Sequence, residues 1–101
     1  MLSVTDFAAA AIVHLLERHH APDDAGLRIA WAPVTRSLTV RLARGPAPDD
    51  RVITARNGAR VFLDPAAAGH LDEKILDVTL GVGGRIEFFT TRAAQPIEPG
   101  R

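Results

Sequence analysis

Residues 51–65 read RVITARNGARVFLDP, and this stretch decides the fold class. Val52 and Thr54 mark one strand, and Ala59 to Leu63 a second, with Val61 and Leu63 on one face, the period of two that a pleated strand imposes. Between them stands Asn57-Gly58, the best hairpin signal in the chain. A type I′ turn needs positive φ at both central residues, and Asn followed by Gly supplies it. The two strands are expected to pair antiparallel. Asp64-Pro65 then opens a short helix, with the Asp as N-cap acceptor and Pro at the first helical position, where a missing N–H costs nothing. Gly69 and the acidic pair Asp72-Glu73 limit that helix to one or two turns.

Working outward, residues 3–20 predict the one substantial helix. Ser3 and Thr5 are both candidate N-caps, and Asp6 suits the positive end of the helix dipole. Ala8, Ile12, Leu15 and His19 share a face, widened by Phe7, Ala11 and Leu16. Pro22 stops this helix, and residues 21–26 form a turn. The period then changes to two: Leu27, Ile29 and Trp31 alternate with Arg28, Ala30 and Ala32 up to Pro33. Leu38, Val40 and Leu42 form the inward set of the next strand, and residues 44–50, RGPAPDD, a polar Pro-rich connection. Downstream, Ile75 to Leu80 and Arg85 to Thr90 are strands joined by a turn at Gly81 to Gly84. The expectation is an α+β domain over residues 1–92, a folded, mainly antiparallel or mixed sheet with one N-terminal helix and one short helix. Residues 93–101 are expected to be a flexible tail, with Pro96, Pro99 and Gly100 and little to bury.

The chain has 101 residues, twelve basic and twelve acidic side chains, four histidines and no cysteine. A length of this order suits one small domain. With no thiol, this sequence has no disulfide, thiolate metal site, thiol nucleophile or cluster held on its own cysteines. Zero net charge offers no global field to draw nucleic acid or an anionic membrane. Lys74 is the only lysine among twelve basic residues, and the arginines are scattered along the chain. The apolar run from Phe7 to Val13 breaks at His14, too short to span a bilayer, so a cytoplasmic location is expected.

Candidate chemistry is sparse. His14 and His19 are five apart on a helix, whereas paired metal ligands want i, i+3 or i, i+4. His19 and His20 point in different directions, and the place of His70 relative to them is open. The pairs Asp23-Asp24, Asp49-Asp50 and Asp72-Glu73 sit beside Pro or in turns, where Asp supplies local hydrogen bonds, not facing one another in a cleft. The two serines, Ser3 and Ser37, suit a cap and a strand entry, not a nucleophile with an adjacent base. The GVGG stretch at 81–84 precedes a strand, whereas a phosphate loop opens a helix. Arg28, Arg41, Arg60 and Arg85 fall mainly on the outward phase of strands. Acidic residues interleave with them, and five aromatics without tyrosine make a poor base-stacking platform. Trp31 is in phase with Leu27 and Ile29 and is expected in the core. No catalytic, cofactor-binding or metal-binding residue is assigned, no cofactor is expected, and the chain is expected not to be an enzyme.

The order of short strings resembles the HesB/IscA-like domain of the A-type carriers of iron–sulfur cluster assembly. The matching strings are LSVTD at 2–6 before the Ala-rich helix, GLRI at 26–29, PAPDD at 46–50, NGARVFLD at 57–64, LD at 71–72, ILD at 75–77 and RIEF at 85–88. Together they cover roughly residues 2–90. The resemblance implies a pseudo-barrel sheet with the N-terminal helix packed on it. It also implies a cysteine in a Gly/Ser-rich loop after the first strand and a Cys-Gly-Cys near the C-terminus. Here residues 32–37 read APVTRS and residues 91–101 contain no cysteine, so no ligand carries over; a neutral hydroxyl such as that of Ser37 is a poor iron–sulfur ligand. The functional expectation is a non-enzymatic accessory of iron–sulfur cluster biogenesis, unable to hold a cluster on its own cysteines. Its partners would be assembly proteins or further copies of itself, with no nucleic acid and no membrane. The alternative is an interaction or homo-oligomeric module that keeps only the fold.

Overall fold

A computed structural model describes residues 1–92; the expected tail, 93–101, lies outside the described residues. The elements run β1 (Ser3–Val4), α1 (Asp6–Arg18), β2 (Gly26–Ala32), β3 (Ser37–Ala43), β4 (Arg51–Thr54), β5 (Arg60–Leu63), α2 (Pro65–His70), β6 (Lys74–Leu80) and β7 (Ile86–Arg92). They form two open sheets, one ordered β1-β6-β7 and the other β3-β2-β5-β4. Both sheets are mixed. β1 runs parallel to β6 and β2 parallel to β5, while β2–β3, β4–β5 and β6–β7 are antiparallel. The α+β class, the mixed pairing and the two helices agree with the sequence reading.

One joint occurs twice. In each case a strand pairs in parallel with a neighbour and then passes directly into a helix through its N-cap. After β1, the Thr5 N–H donates to the Leu76 carbonyl of β6, and the Thr5 hydroxyl accepts from Ala8 N–H and donates to Asp77 at 2.8 Å. After β5, the Asp64 N–H donates to the Ile29 carbonyl of β2. One Asp64 oxygen caps α2 at Ala67 N–H, 2.6 Å, and the other accepts from Trp31 N–H at 3.2 Å. Each cap satisfies donors that a helix start leaves open and also fastens the helix to a strand.

Between these joints lies one apolar cluster. α1 contributes Ala8, Ala9 and Ile12; β2 and β5 contribute Leu27, Ile29, Val61 and Leu63; Ala67, Leu71 and Leu76 close it from α2 and β6. Full burial of a side chain such as Ile12 contributes about 1.5–3 kcal/mol. The face of α1 is rotated from the expected one. Phe7 is 78% exposed, Ala9 is buried, and Leu15 and His19 leave the cluster to line a surface groove. Trp31 packs against the cluster as expected, though it is only half-buried.

Three boundaries differ from expectation, the first for a long-range reason and the other two for local ones. Residues 3 and 4 are a strand instead of the first helical turn, because Ser3 and Val4 pair with Ile75 and Leu76. The helix ends at Arg18, before Pro22 can act. His20 takes φ 51°, its N–H donates to the Glu17 carbonyl, and Ala21 N–H donates to the Leu16 carbonyl. This is a Schellman stop with His where Gly is usual. The hairpin at Asn57-Gly58 is antiparallel as expected, but positive φ occurs only at Gly58. Ala55 N–H donates to the Ala59 carbonyl and Gly58 N–H to the Ala55 carbonyl, so the loop has three residues, a type I turn closed by a glycine bulge. Asn57 serves by accepting from Ala59 N–H at 3.0 Å.

The His20 position carries a stability prediction. A non-glycine residue in the left-handed region costs about 1–2 kcal/mol, partly offset in the unfolded state when Gly replaces it. His20→Gly should therefore raise the unfolding free energy by about 0.5–1 kcal/mol, read from urea denaturation; a loss of stability would show that the His20 side chain holds the loop.

Candidate functional site

Sequence resemblance directs attention to the turn after β2. Residues 33–36 form that turn, with Arg36 at φ 54° and Val34 95% exposed. The Thr35 and Ser37 hydroxyls bond to one another at 2.7 Å, exposed to solvent. Beside it, Trp31 at the end of β2 stacks on His70 at the end of α2, with ring centroids 3.9 Å apart and an interplanar angle of 25°. Leu71 then accepts from Lys74 N–H, and Lys74 pairs with Arg92, the last described residue of β7. The turn after β2 and the exit from β7 are thus linked through α2, and the groups on that path are hydroxyls, one imidazole, cationic side chains and the carboxylates of Asp64, Asp72 and Glu73.

The four histidines do not assemble. His14, His19, His20 and His70 are all exposed, and among the described residues no three His, Asp or Glu side chains come together as a metal-holding group. His19 and His20 line one groove and His70 stacks on Trp31.

The carboxylate pairs divide. Asp72 pairs with the Met1 ammonium, which holds its carboxyl below the usual range, and Glu73 takes φ 60° beside it. Asp24 meets Arg60 at 3.3 Å on the surface, where such a pair contributes little. Asp50 does more than the expected turn chemistry. It accepts from Ala47 N–H at 2.9 Å, which closes the Pro-rich connection, and it receives Arg28 bidentately, Nε and Nη2 each at 2.9 Å.

Arg28 is therefore not a free outward cation. Asp50 is 1% exposed at its side chain and Arg28 18%. Arg28 lies on the sheet face opposite Val61 and Leu63, beside its register partner Phe62, which is fully buried outside the main cluster. The ion pair anchors residues 47–50 to that face. Gly26 completes the packing there, since a Cβ would stand 2.5 Å from the Arg60 carbonyl oxygen and 2.9 Å from the Phe62 ring. The pair also relieves a repulsion, because Arg28 is the direct cross-strand partner of Arg41. Neither the pairing nor the burial is signalled locally, since the partners are 22 residues apart.

No family model matches the chain, and no curated protein does. Solved structures do resemble it. SufA of Escherichia coli, a protein involved in biosynthesis of iron–sulfur clusters, superposes with a TM-score of 0.73 and 22% identity, over 90% of this chain and 84% of that one. IscA with a 2Fe–2S cluster gives a TM-score of 0.61 and 18% identity, over 91% of this chain and 85% of that one.

The Arg28–Asp50 pair gives a pH prediction. Hydrogen bonding to Arg28, opposed by desolvation and helped by the Ala47 N–H, lowers the Asp50 carboxyl below its usual range. A lowered folded value means that the pair stabilises fully above the unfolded carboxyl value, about 3.9, and that this stability drains as pH falls through the folded value. Asp50→Asn should cost about 2 kcal/mol at pH 7, and the gap to the parent should close in acid. Urea titrations of both proteins across that range check it; a gap independent of pH would mean that the carboxylate charge contributes nothing.

The strand order, the two capped helices and the superpositions lead to one structural conclusion: this chain has the fold of SufA and IscA, and it has that fold without a single cysteine.

Proposed function

We propose that the chain is a non-enzymatic accessory protein of iron–sulfur cluster biogenesis that carries no cluster on ligands of its own. The observation that carries this reading is a fold shared over about nine-tenths of the chain with SufA and IscA, combined with 101 residues that contain no thiol. Iron–sulfur clusters are held by thiolates, occasionally with histidine replacing some of them. The turn at residues 33–36 presents hydroxyls already bonded to each other, and the nearby His70 is stacked on Trp31. Exposed neutral hydroxyls and one imidazole make no ligand set for a cluster as cargo. The residual capacity is recognition of proteins.

Two measurements test the two halves of the proposal. Anaerobic incubation with ferrous iron and sulfide, followed by desalting, should leave no visible absorption band; a stoichiometric band in the absence of small thiols would refute the lack of cargo binding. Affinity capture from native lysate should recover proteins of cluster assembly or their clients. Recovery of none would remove the accessory role even if the first result holds.

A further inference from the structure

Among the described residues, the two sheets each leave an unpaired edge on the same groove. There β3 pairs only with β2, and β7 only with β6, so both are edge strands. Yet Val40, Arg41 and Leu42 of β3 and Ile86 and Phe88 of β7 line one depression of about 360 Å³, with Leu15, Leu27 and His19 as the rest of its lining. A second depression of about 410 Å³ shares Leu42 and His19 with the first and runs on to Arg44, His20 and Pro22. The two form a continuous groove beside the second half of β3. Volumes of this order accommodate several side chains.

The chemistry of the lining is one-sided. Leu15 and Leu27 give it an apolar base, and Val40 is 45% exposed along its length. Among the described residues its polar side chains are Arg41, Arg44, His19 and His20, and no carboxylate lines either half. Among the described residues, Arg41 and Arg44 take part in no ion pair, while Asp50 is already engaged by Arg28. Glu87, between the two lining residues of β7, is in the opposite phase of that strand. An exposed strand edge offers main-chain donors and acceptors to an added strand, and flanking pockets select its alternate side chains.

We infer that this groove binds an extended acidic segment of a partner protein, added as a strand along β3. Apolar side chains of the segment enter between Leu15, Leu27 and Phe88, and its carboxylates meet Arg41 and Arg44. Charge complementarity selects the partner, since a basic segment would be repelled at both arginines. The inference stands on the groove and not on the pathway assignment.

The test uses the full chain and a fluorescein-labelled peptide of alternating valine and glutamate, seven residues long to match β3, read by anisotropy. The expected result is saturable binding that weakens with salt. Lysine in place of glutamate, or N-methylation along one peptide edge, should abolish it. Arg41→Glu with Arg44→Glu should weaken it by at least about tenfold. Arg41→Gln with Arg44→Gln, which adds no charge near Arg28, should weaken it in the same direction, with unfolding curves confirming that both variants fold. Equal binding of the lysine peptide, retention by the N-methylated one, or indifference to both double substitutions would overturn the inference. Self-association seen by ultracentrifugation with no peptide binding would also overturn it, by making a second copy the occupant.

Discussion

Asp64 is the constraint on which the rest of this structure depends. Its backbone extends the parallel pairing of β5 with β2, and its two carboxylate oxygens are divided between the first turn of α2 and the Trp31 amide. A strand, its parallel neighbour and a helix therefore meet at one residue. Parallel pairing ordinarily requires a long crossover connection, and between β2 and β5 that connection includes two further strands, β3 and β4. The pair is thus closed late, by contacts far apart in sequence, and Asp64 holds it where it passes into α2. Pro65 at the first helical position makes the exit abrupt, which turns α2 back toward the end of β2.

Thr5 performs the same task for the smaller sheet, with a hydroxyl in place of a carboxylate. Its second bond goes to Asp77 of β6, so here the acid is on the strand and the alcohol is on the cap. With α1 fastened at its start, its small residues Ala8 and Ala9 can lie close against the strands, and Ile12 reaches fully into the cluster. The rotation that buries Ala9 turns Phe7 outward and leaves Leu15 at the groove. Helical periodicity defines a stripe about one-third of the circumference wide, and an Ala-rich helix has little bulk with which to choose its centre. The strand pairing of residues 3 and 4 makes that choice.

This explains what was legible in the sequence. Strand periods, the Asn57-Gly58 hairpin and the Asp64-Pro65 helix start rest on interactions within a few residues, and all of them appear. Features settled across the chain were not legible. β1 exists through β6, and the Arg28–Asp50 pair spans the Pro-rich connection; the end of α1 is a local exception, missed because it uses a histidine in a backbone state usual for glycine. For the candidate site, the decisive negative, the lack of thiols, is a matter of composition and could be read at once. The groove could not, because Val40 and Phe88 belong to different sheets and become neighbours only when both sheets pack around the same cluster.

The absence of cysteine also changes which parts of this fold are free to act. The family resemblance would place cysteines after β2 and near the C-terminus; this sequence has none, and among the described residues the end of β2 is held by packing. The Trp31–His70 stack and the pairing of Lys74 with Arg92 lie on the path between those two regions. An offset or stacked aromatic pair contributes about 0.5–1.5 kcal/mol beyond burial, far less than a bound metal supplies to folding. That end of the molecule is thus held by modest contacts, whereas the Asp64, Thr5 and Arg28–Asp50 joints anchor the sheets themselves. The sheet architecture needs no thiol, because none of its three anchoring joints uses one. A sheet architecture held by these joints leaves the edge of β3 at the surface, where exposed Val40 and the side chains of Arg41 and Arg44 make a cationic, apolar seam.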